Sequence, residues 1–220
     1  MGSITRSLAN NITTSGVILP AGITNSSVSA VTSFANAAAA GTLTLLSTQT
    51  ASASATISFT TGLDSTYDEY IIKIINARPA TDNVNFTFNM STDAGSNYNV
   101  TKTTTYFEAY HGEDNVDAFL IYRTGRDLAQ STSFQDLFPD LGNGADESVS
   151  GSLTLFNPSS TTYVKHFLTN TNGYNKDDAS INVFTAGYGN TTSAVNAIRF
   201  QMSSGNIADG IFKLYGVKKS

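Results

Sequence analysis

The sequence contains no cysteine and no tryptophan. Without thiols it can form neither disulfides nor thiolate metal sites, and the redox compartment is not encoded in it. Histidine occurs only at His111 and His166, so side chains that change charge near neutral pH are scarce. His166 lies between Lys165 and Phe167 in a strand-like run, the setting of a structural or interface histidine. A Gly-x-Ser-x-Gly elbow is missing too, and no spacing singles out a glycosidase pair among Asp136, Asp140, Asp146, Glu147, Asp177 and Asp178. No catalytic residue is nominated, no cofactor or resident metal is expected, and the chain reads as a non-enzyme.

Long apolar runs are absent as well. No window approaches the ~20 apolar residues that span a bilayer, and residues 1–6 do not open a signal peptide, so the expectation is a soluble protein without membrane insertion. Basic residues are few and dispersed, 12 Lys and Arg against 17 Asp and Glu, which leaves no electrostatic footprint for nucleic acid.

Most informative is the lack of any charge from Ser7 to Leu63. Disordered segments stay solvated through charge, and ordinary globular surface carries about 25% charged residues, so a neutral and moderately apolar stretch fits neither class. It reads as a segment meant to be covered by other copies of the chain or by a larger assembly. Residues 1–41 form this expected arm, closing on the Ala-rich run Ala35–Gly41, and residues 42–220 form the domain proper. The apolar anchors of the arm are Ile4, Leu8, Ile12, Val17, Ile18, Leu19, Val28, Val31 and Phe34. They lack the sustained heptads of a coiled coil, which favours an extended, wrapping arm.

Beyond Gly41 the chain is strand-like. Period-two alternation runs through 55–60 and 84–90, and shorter candidates lie at 43–47, 70–76, 98–105, 119–123, 153–156, 163–169, 181–186, 197–202 and 211–217. Turn-rich joints such as Asn157-Pro158, Asn172-Gly173 and Ser203-Ser204-Gly205-Asn206 separate them. Many short strands without a long helix predict an all-β chain, a jelly-roll-like β-sandwich with an extended N-terminal arm.

Three local patterns bear on function. Ser91-x-Asp93-x-Gly95-x-Asn97-Tyr98 resembles the Asp-box hairpin, in which Asp binds turn amides and Gly supplies positive φ, a device for holding a turn rather than for chemistry. Glu113, Asp114 and Asp117 gather oxygen ligands after His111, but their spacing is not that of a calcium loop. Aromatic rings at predicted loop tips, Tyr110, Tyr174 and Tyr188, are the candidates for stacking on a sugar.

The C-terminal run 190–217, with Asn190-Thr191-Thr192-Ser193, Ser203-Ser204-Gly205-Asn206 and the ending Lys213-Leu214-Tyr215-Gly216, is similar to the terminal region of tail-fibre and appendage proteins of marine bacteriophages. Ser65-Thr66-Tyr67-Asp68-Glu69-Tyr70 and Leu155-Phe156-Asn157-Pro158-Ser159-Ser160 are similar too. The resemblance implies a virion structural domain, made in the host cytoplasm, displayed on the particle surface and typically trimeric. Its implied partners are other copies of itself and other virion proteins; a host-surface glycan is the ligand on which the candidate rings would stack. A capsid decoration protein is the alternative, and a carbohydrate-binding module or depolymerase a further one.

Overall fold

The structure, a computed structural model, describes residues 42–218 and, ahead of them, the strands β1 (Ile12–Thr13) and β2 (Gly16–Val17). These two strands pair antiparallel, Ile12 opposite Val17. The anchors Ile4, Leu8, Ile18, Leu19, Val28, Val31 and Phe34, like the run Ala35–Gly41, lie outside the described residues. The chain divides into two units, Met1–Ala39 and Ala40–Ser220.

The second unit is an antiparallel β-sandwich, and no helix occurs among the described residues. Its strands are β3 (Leu43–Ser54), β4 (Ile57–Phe59), β5 (Glu69–Pro79), β6 (Val84–Ser91), β7 (Lys102–Gly112), β8 (Ala118–Tyr122), β9 (Gln135–Leu141), β10 (Val149–Phe156), β11 (Lys165–Asn175), β12 (Ala179–Gly189), β13 (Ala197–Met202) and β14 (Ile207–Val217). Eight of them form one sheet in the order β3-β14-β5-β10-β11-β12-β7-β8, and four form the other, β4-β13-β6-β9.

Alternation decides which face is buried. Along β5, Tyr70, Ile72 and Ile74 point inward while Ile71, Lys73 and Ile75 point away. Between the sheets, Phe86, Phe88 and Phe200 of the smaller layer meet Phe167 and Phe212 of the larger. Phe88 stands edge-on to Phe167 at 4.9 Å between ring centroids, and Phe86 lies stacked on Phe200 at 5.9 Å. Burying each such ring contributes roughly 1.5–3 kcal/mol. β6 is also covered on its second face, where Asn89 donates from Nδ2 to the carbonyls of Tyr98 at 2.7 Å and Thr132 at 2.9 Å.

The structure departs from the sequence expectation in three places. β9 is not predicted by pattern, because Pro139 interrupts it; it is an edge strand, where a residue without an amide hydrogen is tolerated. The strand expected at 98–105 runs instead from Lys102 to Gly112, so Tyr110 is a strand residue rather than one at a loop tip. Asn172-Gly173 is not a joint but lies within β11, and the turn falls at 176–178. Gly173 is required there because an added Cβ would stand 2.6 Å from the Phe138 ring.

Candidate functional site

The eight-stranded sheet is wider than the layer that packs on it, and its solvent face carries a trough. Cross-strand register aligns His166 of β11, Tyr188 of β12 and Thr103 of β7 in one row, and Leu168, Ala186 and Thr105 in the next row on the same face. Together with Phe156 they bound a trough of about 430 Å³. The His166 and Tyr188 rings lie 6.1 Å apart at 60°. Gly187 lets β12 approach β7 closely, since an added Cβ would stand 2.5 Å from the Thr103 carbonyl oxygen. A second trough of about 390 Å³ continues past Leu168 and Ala186 to Phe107 and Phe184. Those two rings are cross-strand partners stacked at 5.1 Å and 11°. Among the described residues no Asp, Glu, Lys or Arg lines either trough. Chemically this surface can stack on a flat apolar face and bind hydroxyls through Thr103, Thr105 and His166; it offers no charge to recognise an ion.

The three nominated tyrosines do not converge. Tyr188 lines the trough. Tyr174 pairs with Ser180 at the opposite end of β12, roughly 25 Å along the strand, where its hydroxyl donates to Asp178 Oδ1 at 2.7 Å. That bond, the largest cause, and the burial and negative charge around it push the Tyr174 hydroxyl up to about 12. Tyr110 pairs with buried Ile181 and therefore points to the other face, where it stacks on Phe119 at 4.7 Å.

Around the Glu113 loop, a pocket of about 320 Å³ is lined by Tyr110, Glu113, Asp114, Asp117, Asp177 and Asp178. Its carboxylates are largely committed already. Asp114 Oδ1 accepts the Val116 amide at 2.9 Å, Asp178 accepts the Tyr174 hydroxyl, and Asp177 pairs with Lys176 at 2.6 Å. Among the described residues no three His, Cys, Asp or Glu side chains come together as a metal site.

The Ser91–Tyr98 turn has the geometry its residues dictate. Ser91 Oγ donates to Asp93 Oδ1 at 2.6 Å and accepts the Gly95 amide at 3.0 Å, while Asp93 Oδ1 accepts the Asn97 amide at 2.8 Å. Gly95 sits at φ +87°. Beneath the turn Tyr98 carries the Arg199 guanidinium at 3.9 Å from its ring centre.

Sequence reasoning missed a set of polar side chains beneath β7. Lys102, Thr104, Tyr106 and Glu108 share the inward face of that strand, and all four are buried. Glu108 Oε1 accepts Arg123 Nε at 2.7 Å, whereas Glu108 Oε2 and the Tyr106 hydroxyl are buried without a hydrogen-bond partner among the described residues. Arg126 bridges Asp136 and Asp140, both at 3.0 Å. Burial pushes the Asp136 carboxyl up against the pull of that guanidinium. The same guanidinium clamps both carboxylates and so ties to β9 the 123–134 segment, which runs beside β7 with Ser131 bridged to Lys102. The only signal for this cluster was the parity of Lys102, Tyr106 and Glu108, legible once the strand is known to start at Lys102.

No family model matches the chain, and comparison with curated proteins and with solved structures yields no match.

Proposed function

We propose that the chain is a structural protein of a bacteriophage particle, a tail-associated surface appendage anchored through residues 1–41 and presenting its β-sandwich outward. The observation that carries this reading is the charge-free stretch from Ser7 to Leu63, which begins ahead of the sandwich and continues through β3 and β4. A chain acting alone in water has no use for such a stretch, whereas one built into a particle covers it. The strand order lends support: we read β3-β14-β5-β10 against β4-β13-β6-β9 as the pairing of two interlocked Greek keys, a jelly roll with hairpins β7–β8 and β11–β12 inserted. The appendage is a homotrimer, as the resemblance in its sequence implies, and it is attached to other virion proteins.

The test is electron microscopy of particles carrying a label at Ser220. Label at the tail supports the reading, label distributed over the shell replaces it with a capsid decoration protein, and unlabelled particles sink both.

One observation favours a carbohydrate-binding role in addition. The uncharged trough beside Tyr188 combines a ring with the hydroxyl-bearing Thr103 and Thr105, the composition that takes a neutral sugar. Binding to a neutral host-surface glycan, weakened at least tenfold in Tyr188→Ala, is the expected outcome; equal binding by that variant removes the trough from consideration.

A further inference from the structure

Each sheet of the sandwich ends in two edges, and three of these four are guarded in ways natural proteins use against strand addition. β4 is only three residues long. β9 carries Pro139 together with Asp136 and Asp140. β3 is long, but it bulges against β14 between Leu214 and Tyr215 and turns through a positive φ at Ala53. β8 is different. It pairs with β7 alone, reads Ala118-Phe119-Leu120-Ile121-Tyr122, and all five residues are exposed, Leu120 at 73%. Neither a charge nor a proline interrupts it, and its outer edge leaves a row of backbone groups without a ladder partner among the described residues.

The apolar character continues inward from this edge. Leu120 and Tyr122 share the solvent face with their neighbours Ala109 and Phe107, and Phe107 stacks on Phe184. An occupant of the β8 edge would therefore gain main-chain hydrogen bonds on one side and apolar contact on the other. A charged segment is a poor occupant, because burying its charges against these side chains without partners costs several kcal/mol. The chain itself contains an uncharged candidate, the segment from Ser7 to Gly41 with its spaced Val, Ile, Leu and Phe residues.

Sheet order favours a neighbouring copy as its source. β3 and β8 stand at opposite ends of the eight-stranded sheet, roughly 34 Å apart, so a segment entering the sandwich at β3 starts from the far edge of its own sheet. In a head-to-tail ring the same segment starts beside the β8 edge of the next copy. We propose that the β8 edge receives, as an added strand, part of the segment Ser7–Gly41 of a neighbouring copy. This rests on the arm-anchored, oligomeric reading proposed for the chain and names the surface that the arm engages.

The experiment uses the full chain with Leu120 replaced by the photo-reactive residue benzoylphenylalanine, mixed from isotopically light and heavy preparations and sedimented before irradiation. The expected result is an oligomer in which light–heavy cross-links join position 120 to residues 7–41. An oligomer whose cross-links join position 120 to β3 or β8 of another copy overturns the choice of occupant. An oligomer whose cross-links join position 120 to residues 7–41 of the same copy overturns the neighbouring copy as the source, and one without cross-links from position 120 to residues 7–41 overturns the β8 edge as the receiving surface, while the oligomeric reading stands. A monomer overturns both.

Discussion

Lys102 donates from Nζ to Asn89 Oδ1 at 2.6 Å inside the sandwich, where neither residue is exposed to solvent. Its other bond is to the Val100 carbonyl at 2.8 Å, and among the described residues it belongs to no ion pair. Burial without a counter-charge disfavours the ammonium and brings the amine down to about 7 from 10.5. Between those two values the unfolded chain holds the proton more firmly than the folded one, so stability rises with pH across that window and the penalty is fully present below pH 7. One such proton changes stability by up to ~1.4 kcal/mol per pH unit. Denaturant midpoints measured from pH 7 to 9.5 are expected to climb in the parent protein and to climb less in Lys102→Met. Equal slopes would mean that Lys102 titrates normally.

Asp93 is shifted in the same direction for the opposite reason, since hydrogen bonds favour its charged form. The Ser91 hydroxyl, with the Asn97 amides behind it, holds its carboxylate at about 2. A depressed carboxylate contributes stability above its ordinary value of 3.8, and that contribution fades as pH falls toward 2. Carboxyl carbon NMR titration is expected to find Asp93 near 2 in the parent protein and closer to 3.8 in Ser91→Ala. An unchanged titration in the variant would refute the part given to Ser91.

Gly187 lines the trough, and its backbone packs against the Thr103 carbonyl. Gly187→Ala forces β12 and β7 apart at the Thr103 carbonyl, and overpacking of this kind costs about 1–3 kcal/mol. Gly125→Ala serves as the control, because an added Cβ there meets nothing within 4 Å. Thermal unfolding should separate the two by several degrees, with only the former destabilised.

Phe88 joins the two layers through Phe167 and packs on Phe200 within its own layer. Phe88→Ala is expected to cost about 3–5 kcal/mol in chemical denaturation. A loss below about 1 kcal/mol would mean that the site collapses around the missing ring or that Phe88 does not bridge the layers.

Strands with clean alternation were readable without coordinates. Residues 84–90 alternate Val, Phe, Phe and Met with polar side chains, and β6 covers them. The Ser91–Tyr98 turn was readable for a similar reason, since its hydrogen bonds join residues close in sequence. β9 was hidden because Pro139 and the adjacent Leu137 and Phe138 break the period, and only a position at the edge of a sheet makes such a strand tolerable. Gly173 misled in the other direction: next to Asn172 it spells a turn, yet its lack of a side chain makes room for Phe138, a neighbour that no local pattern reveals. The trough was out of reach for a stronger reason. His166, Tyr188 and Thr103 share a row only through the register of β11, β12 and β7, and a slip of one residue would send any of them to the opposite face.

Pro139 also limits how copies can be joined. A strand laid along β9 would meet a ring nitrogen with no hydrogen to give, and β4 at the opposite side of that layer is too short to hold a partner. Lateral growth through main-chain pairing is thus confined to the eight-stranded layer. Copies joined in this way would share one continuous wall, with the small layers standing apart from each other as separate bosses on its surface. The loops on those bosses could then vary in sequence without disturbing the seam between copies.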